Sequence, residues 1–165
     1  MNGLESLYQE LILDHSKRPH GKVLLAAATT ETAAGAADDP ADTGRVAMSY
    51  QRNPICGDEI TLRVRLSDDG STVDEVTWDG AGCSISQASA SMLAALIEEE
   101  GRMPRAEASA LVEGFREALR SRGETPLDEE VYGDAAALSG VSKFTARVKC
   151  AMLAWVAFED AAARA

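Results

Sequence analysis

Ile60, Leu62, Val64 and Leu66 alternate with Thr61, Arg63 and Arg65. Successive strand residues point to opposite faces, so this run has one apolar face and one polar face. Such a strand needs neighbours along its edges and a second layer over one face only. The flanking sequence supplies the neighbours. Val46, Met48 and Tyr50 alternate ahead of it, and Asp68-Asp69-Gly70 is a turn signal leading into Val73–Trp78. These short spacings predict an antiparallel meander of three strands.

The covering layer comes from segments with helical spacing. Leu4, Leu7, Tyr8, Leu11 and Ile12 share one face of a helix over residues 2–17, stopped by Pro19 and Gly21. Ser84–Glu99 carries Ile85, Ala88, Met92, Leu93 and Leu96 on one side. Pro104–Arg120 carries Leu111, Val112, Phe115 and Leu119, and Phe144–Ala163 carries Val148, Met152, Trp155 and Val156. Residues 121–143 read as polar and turn-rich, with one short segment near Ala135–Leu138. Strands grouped together and helices grouped together predict an α+β fold, a small three-stranded antiparallel sheet with helices on one face. Residues 26–45 hold small, polar and acidic side chains and no bulky apolar ones. Such a stretch buries too little surface to offset its ordering entropy, so a flexible insertion within a single domain spanning 1–165 is expected.

Charge and cysteine content narrow the function classes. A formal net charge of −11 without a basic stripe repels nucleic acid. No apolar run approaches the roughly 20 residues that cross a bilayer, and the acidic, amphipathic N-terminus lacks the pattern of a signal peptide. A cytoplasmic protein is expected, as a monomer. Three cysteines, an odd number, argue against a disulfide framework.

The surroundings of each cysteine carry the chemistry. Cys56 lies in Asn53-Pro54-Ile55-Cys56-Gly57-Asp58, a turn between the first two strands. Cys56 and Asp58 are two residues apart, so in extended backbone a thiolate and a carboxylate project to one side. Cys83 follows the glycine-rich stretch Asp79-Gly80-Ala81-Gly82 and opens a helix, where free N–H groups and the helix dipole favour a thiolate. Cys150 sits inside the last helix beside Arg147 and Lys149, two cations expected to lower its pKa.

Each feature taken alone has a plain structural reading. Cys150 alone is a small buried hydrophobe; Asp58 alone is a turn or cap residue. Gly80–Gly82 alone is a turn, and no Walker lysine follows it. His15 and His20, near the end of the first helix, read as capping or surface residues. Spacing leaves the metal reading open, because no C-x-x-C pair is present.

Larger blocks settle the direction. LYQELILDHSKRPHG at 7–21, NPICGDEI at 53–60, GAGCSISQASASML at 80–93 and SGVSKFTARVKCAMLAW at 139–155 resemble the IscU/NifU-N-terminal superfamily of iron–sulfur assembly proteins. They run in family order and include all three cysteines. The resemblance is closest to the SufU branch of zinc-dependent sulfurtransferases. Lys149 stands where IscU-type scaffolds carry a histidine, and 121–143 looks like the SufU insertion. Residues 26–45 are longer than the family pattern.

The resemblance implies zinc held by Cys56, Asp58, Cys83 and Cys150. It implies sulfur acceptance on Cys56 and a role for Arg147 beside the site at the partner interface. The implied partner is a SufS-type, pyridoxal-phosphate-dependent cysteine desulfurase, with iron–sulfur assembly proteins downstream. Two rival readings use the same residues: a scaffold holding a [2Fe–2S] cluster, and a closed structural zinc domain that only binds partners.

Overall fold

The computed structural model describes residues 3–23, 45–54 and 56–165. In chain order the elements are α1 (Gly3–Lys17), β1 (Arg45–Arg52), β2 (Glu59–Leu66), β3 (Thr72–Ala81), α2 (Ser84–Glu100), β4 (Met103–Pro104), α3 (Arg105–Arg120), α4 (Glu129–Tyr132), a run of 3-10 turns (Gly133–Lys143) and α5 (Thr145–Arg164). The expected insertion at 26–45 lies outside the described residues except for Arg45, which opens β1.

The four strands form one antiparallel sheet in the order β1-β2-β3-β4. The expected meander of three is there, and the sequence reading missed the fourth strand. β4 is a two-residue pairing of Met103 and Pro104 with Val73 and Thr72, too short for any alternation to be visible. The register places Ala47, Val64 and Val76 side by side, and likewise Ser49, Leu62 and Trp78. These inner positions are buried under the helices. Val46, Met48 and Tyr50, the residues that signalled β1, therefore occupy the opposite face of the sheet, alongside Arg63 and Arg65. There Glu75 pairs with both arginines, at 3.4 and 3.3 Å. A register shift at Arg65/Leu66 brings Leu66 opposite Val73 and keeps both inside. In the following turn Asp69 accepts hydrogen bonds from Ser67 Oγ, Ser71 Oγ and Ser71 N, which hold its carboxyl down at about 2.

α5 packs across β1 and β2, α2 lies beside it over β3, α1 packs on α2, and α3 packs on α5. Ring stacking and buried hydrogen bonds seat α5 in the core. The rings of Phe115 and Trp155 stack 4.0 Å apart. Trp155 Nε1 donates to Ser89 Oγ at 3.0 Å, and Ser89 in turn donates to the Ala151 carbonyl at 2.6 Å. At the far end of α5, Ser49 Oγ donates to Asp160 Oδ2 at 2.7 Å, tying the helix to β1. The chain after α1 runs along β3, with Lys22 bridged to Trp78 and the Trp78 indole N–H donating to the His20 carbonyl at 2.8 Å.

Two further expectations are corrected. His15 is not a surface or capping residue: it is 4% exposed, and its ring bonds Ser91 Oγ at 2.7 Å and Asp134 Oδ2 at 2.8 Å. It joins α1 to α2 and to the 3-10 segment, a tertiary partnership that no local spacing announces. His20 is exposed, as expected. Residues 121–143 are more than polar turns. Ala135–Leu138 and Val141 are buried, and the buried Tyr132 hydroxyl donates to the Leu111 carbonyl at 2.9 Å. Their small side chains and 3-10 geometry give no 3.6-residue period to detect. Among the described residues, no helix is long and apolar enough to cross a membrane.

Candidate metal centre

The three cysteines and Asp58 come from three places: the β1–β2 loop, the start of α2 and the second turn of α5. The loop is closed from both ends. Asn53 N donates to the Asp58 carbonyl at 2.8 Å, and Gly57 N donates to the Asn53 carbonyl at 2.8 Å. Gly57 takes a φ of +76°, a conformation that favours glycine, and the turn leaves Cys56 exposed while Asp58 is 2% exposed.

Asp58 is the hub. Its Oδ1 accepts the Cys83 backbone N–H at 3.0 Å, and its Oδ2 lies 3.5 Å from Cys83 Sγ. The carboxylate thereby sits against the N-terminus of α2, whose N-cap is Cys83. Burial works to raise its pKa. Hydrogen bonds from the Cys150 thiol, the Cys83 N–H, and the Cys56 and Cys83 thiols outweigh burial and hold the carboxyl below its ordinary value. Gly82 makes the close approach feasible: a Cβ there would lie 2.6 Å from Asp58 Oδ1 and 2.6 Å from Ser86 Oγ.

Cys56 Sγ and Cys150 Sγ are 3.5 Å apart. With Asp58, these two form a group whose candidate ligand atoms all lie within 4.8 Å of one another. Cys83 joins the cluster through Asp58. The structure thus brings Cys56, Asp58, Cys83 and Cys150 into one constellation. Its electrostatics differ from the sequence expectation at Cys150. The thiol is pushed up, not down, first by burial, then by its hydrogen bonds to Asp58 and Cys56 and by the negative charge of Cys83 and Asp58. Arg147 and Lys149 are exposed and do not offset that burial.

Arg147 lies three residues before Cys150 on α5. Its guanidinium carbon is 5.9 Å from the Phe144 ring centroid, and it lines a groove of about 410 Å³ with Tyr8, Ile12, Ile85 and Lys143. Sequence reading missed Ser86, buried one turn after Cys83. Its Oγ donates to the Cys83 carbonyl at 3.0 Å and lies 3.9 Å from Cys83 Sγ. The Cys83-x-x-Ser86 spacing at a helix start is the signal that would have found it.

This antiparallel sheet under helices, with its gathered cysteines and aspartate, lies within a match to the family of NifU-like N-terminal domains. That family matches residues 7–151, and the chain belongs to it. Within it, the chain is 37% identical over 161 residues to the zinc-dependent sulfurtransferase SufU of Bacillus subtilis, covering 98% of this chain and 92% of that one. It is 34% identical over 164 residues to the iron–sulfur cluster assembly scaffold protein IscU of Streptococcus pyogenes, covering 99% of this chain and 87% of that one. The crystal structure of a putative SUF-system scaffold protein from Fervidobacterium islandicum superposes with a TM-score of 0.62 at 29% identity, over 96% of this chain and 98% of that one.

Proposed function

We propose that this chain is a zinc-dependent sulfurtransferase acting as a single domain in the cytoplasm. In this reading Cys56 accepts sulfur from the persulfide of a SufS-type cysteine desulfurase and passes it on for iron–sulfur cluster assembly. The observation that carries it is the contrast within one cluster: the Cys56 thiol is exposed, whereas Asp58 and Cys150 beside it are buried. Cys83 is exposed as well, but it caps α2 and directs its thiol to Asp58 and Ser86, whereas Cys56 stands on the turn between β1 and β2 and is the sulfur offered to a partner. The B. subtilis relative, similar over nearly the whole chain, bears the same activity in its name.

The donor set fits zinc. Soft sulfur with a carboxylate suits that ion. Tetrahedral zinc, with zinc–sulfur bonds near 2.3 Å, sets its sulfur ligands about 3.8 Å apart; the Cys56 and Cys150 sulfurs lie at 3.5 Å. The four donors would be Cys56, Asp58, Cys83 and Cys150. Bound zinc would keep their thiols ionised and neutralise a buried cluster of negative charge.

The chain's own residues then have distinct tasks. The Cys56 sulfur attacks the outer sulfur of the partner's persulfide; that S–S bond breaks and the partner's thiolate leaves. Asp58 and Cys83 fix the loop against α2 so that Cys56 stays outward. Arg147 and Lys143 give this acidic protein a local positive rim beside an apolar groove, suited to an acidic element of the partner. The test is to mix the zinc-loaded protein with the desulfurase and cysteine and to map added sulfur by mass spectrometry without reductant. Added sulfur on Cys56, lost in Cys56→Ala, is the expected result; an active desulfurase that leaves every cysteine unmodified refutes the proposal.

A second reading, a scaffold on which a [2Fe–2S] cluster is built, is favoured by the name of the S. pyogenes relative. Anaerobic reconstitution that yields a stable, transferable cluster would select it.

A further inference from the structure

The 3.5 Å contact between Cys56 Sγ and Cys150 Sγ joins an exposed sulfur to a buried one across 94 residues of sequence. Cys83, by contrast, directs its thiol to Asp58 and Ser86. A disulfide bond is about 2.05 Å long, so closing the Cys56–Cys150 pair needs about 1.5 Å of further approach. Cys56 rides on an exposed turn that can supply this by side-chain rotation. The buried partner is fixed by its helix.

We propose that Cys150 is the resolving thiol of Cys56: when Cys150 is not engaged by a metal, it attacks an oxidised Cys56 sulfur and closes a Cys56–Cys150 disulfide. This builds on the proposed sulfur acceptance by Cys56. On a Cys56 persulfide, Cys150 attacks the inner sulfur, which is the sulfur it already touches. The bond between inner and outer sulfur breaks, and the outer sulfur leaves as hydrosulfide, taking up the proton that Cys150 gives up. The outer sulfur is reduced, the Cys150 sulfur is oxidised, and no external oxidant is required. The exposure of Cys56 lets the outer sulfur project to solvent, roughly opposite the incoming thiol.

The consequence is a fork in the fate of the sulfur. A chain whose Cys150 is occupied keeps its persulfide for delivery. A chain whose Cys150 is free discharges it as sulfide and locks itself in an oxidised form that cannot accept another sulfur until it is reduced. Cys150 thus becomes a redox modification site as well as a candidate ligand.

Two arms test this on the full-length chain. In the first, zinc-loaded and chelator-depleted wild type and depleted Cys150→Ser are given desulfurase and cysteine, then followed by intact mass, peptide mapping and sulfide release. Depleted wild type should lose the one-sulfur mass gain about ten-fold faster than Cys150→Ser or the zinc-loaded protein, in step with sulfide release and a Cys56–Cys150 linked peptide. Equal persistence of the persulfide in depleted wild type and in Cys150→Ser overturns the proposal.

The second arm needs neither desulfurase nor variant. Depleted wild type is treated with diamide, a diazene that takes two electrons and two protons from a pair of thiols. A Cys56–Cys150 peptide is expected, whereas a dominant link to Cys83 overturns the pairing. If no variant gains sulfur in the first arm, the proposed function and the persulfide step both fail, while the diamide arm still decides whether these two thiols form a pair.

Discussion

The side chain of Asp58 accepts the backbone N–H of Cys83 at 3.0 Å, so the residue that closes the β1–β2 loop also caps the approach to α2. One carboxylate is both a candidate metal donor and a structural tie between two elements. The two roles separate by experiment. Asp58→Ala should weaken zinc retention by at least about ten-fold in competition with a chromogenic chelator. It should also cost the depleted protein about 1–3 kcal/mol, because the Cys83 N–H loses its acceptor. Asp58→Asn retains an oxygen acceptor and should recover much of the stability without the zinc affinity. Wild-type retention of zinc in both variants would remove Asp58 from the ligand set.

Gly82 is required by its neighbours, not by its backbone angles. A methyl group at this position would meet Asp58 Oδ1 and Ser86 Oγ at 2.6 Å each. Gly82→Ala should therefore fold with α2 intact by circular dichroism, yet lower zinc affinity and sulfur acceptance together. Gly140→Ala is the control, since a methyl there meets nothing within 4 Å; comparable losses in both variants would deny the site any special tightness at Gly82.

Zinc should act as a folding ligand. The cluster joins the β1–β2 loop, α2 and α5, and removing an ion that ties them loosens all three. With free zinc at about 100 times its dissociation constant, the gain is about 2.7 kcal/mol, and the thermal midpoint should rise with added zinc. A midpoint insensitive to chelator would show that these donors do not hold a metal in solution.

Ser89 supports the site from beneath. It accepts from the Trp155 indole and donates to the Ala151 carbonyl, both in the helix that carries Cys150. Ser89→Ala strands a fully buried indole N–H and should cost about 1–3 kcal/mol in denaturant unfolding. A change within a few tenths of a kcal/mol would mean that α5 is seated by apolar packing alone.

Acid titration offers an independent check on the sheet. The hydroxyls of Ser67 and Ser71 and the Ser71 N–H hold the Asp69 carboxyl at about 2, below the ordinary 3.8. A depressed carboxylate pKa contributes stability that is present above the unfolded value and lost as pH falls through the folded one. This contribution should therefore fade between about pH 4 and pH 2. Carboxyl NMR should show Asp69 titrating near 2 in the wild type and near its ordinary value in a Ser67→Ala, Ser71→Ala double variant.

Alternation and a turn signal made β2 and β3 legible, and apolar spacing the four long helices, although on α1 Tyr8, Leu11 and Ile12 are only partly buried and Leu7 is exposed. Alternation could not tell which face of β1 is inner. Val46, Met48 and Tyr50 are the more apolar set, yet the register puts Ala47 and Ser49 under α5. Small residues fit there because the helix crosses close to the strand, and Ser49 is paired by Asp160. The gathering of Cys56, Asp58, Cys83 and Cys150 was legible only from the neighbours of each cysteine across the family pattern. The pKa direction at Cys150 was not: proximity in sequence to Arg147 and Lys149 is not proximity of charge once burial intervenes. His15 was lost for the same reason, since its partners Ser91 and Asp134 lie 76 and 119 residues away.

α5 has 20 residues, a rod about 30 Å long. Near one end it carries Cys150; near the other, Asp160 is pinned to Ser49 of β1 and paired with Arg164 at 3.0 Å. A rod clamped at its tail acts as a lever at its head. Asp160 and Cys150 are about 15 Å apart along the rod, so a tilt of about 5°, introduced by altering Ser49 or Asp160, would move the Cys150 sulfur by about 1 Å, a large part of the approach that a bond to Cys56 requires. The geometry of the cysteine pair is therefore adjustable from the opposite end of the molecule, by substitutions that touch none of the residues around it.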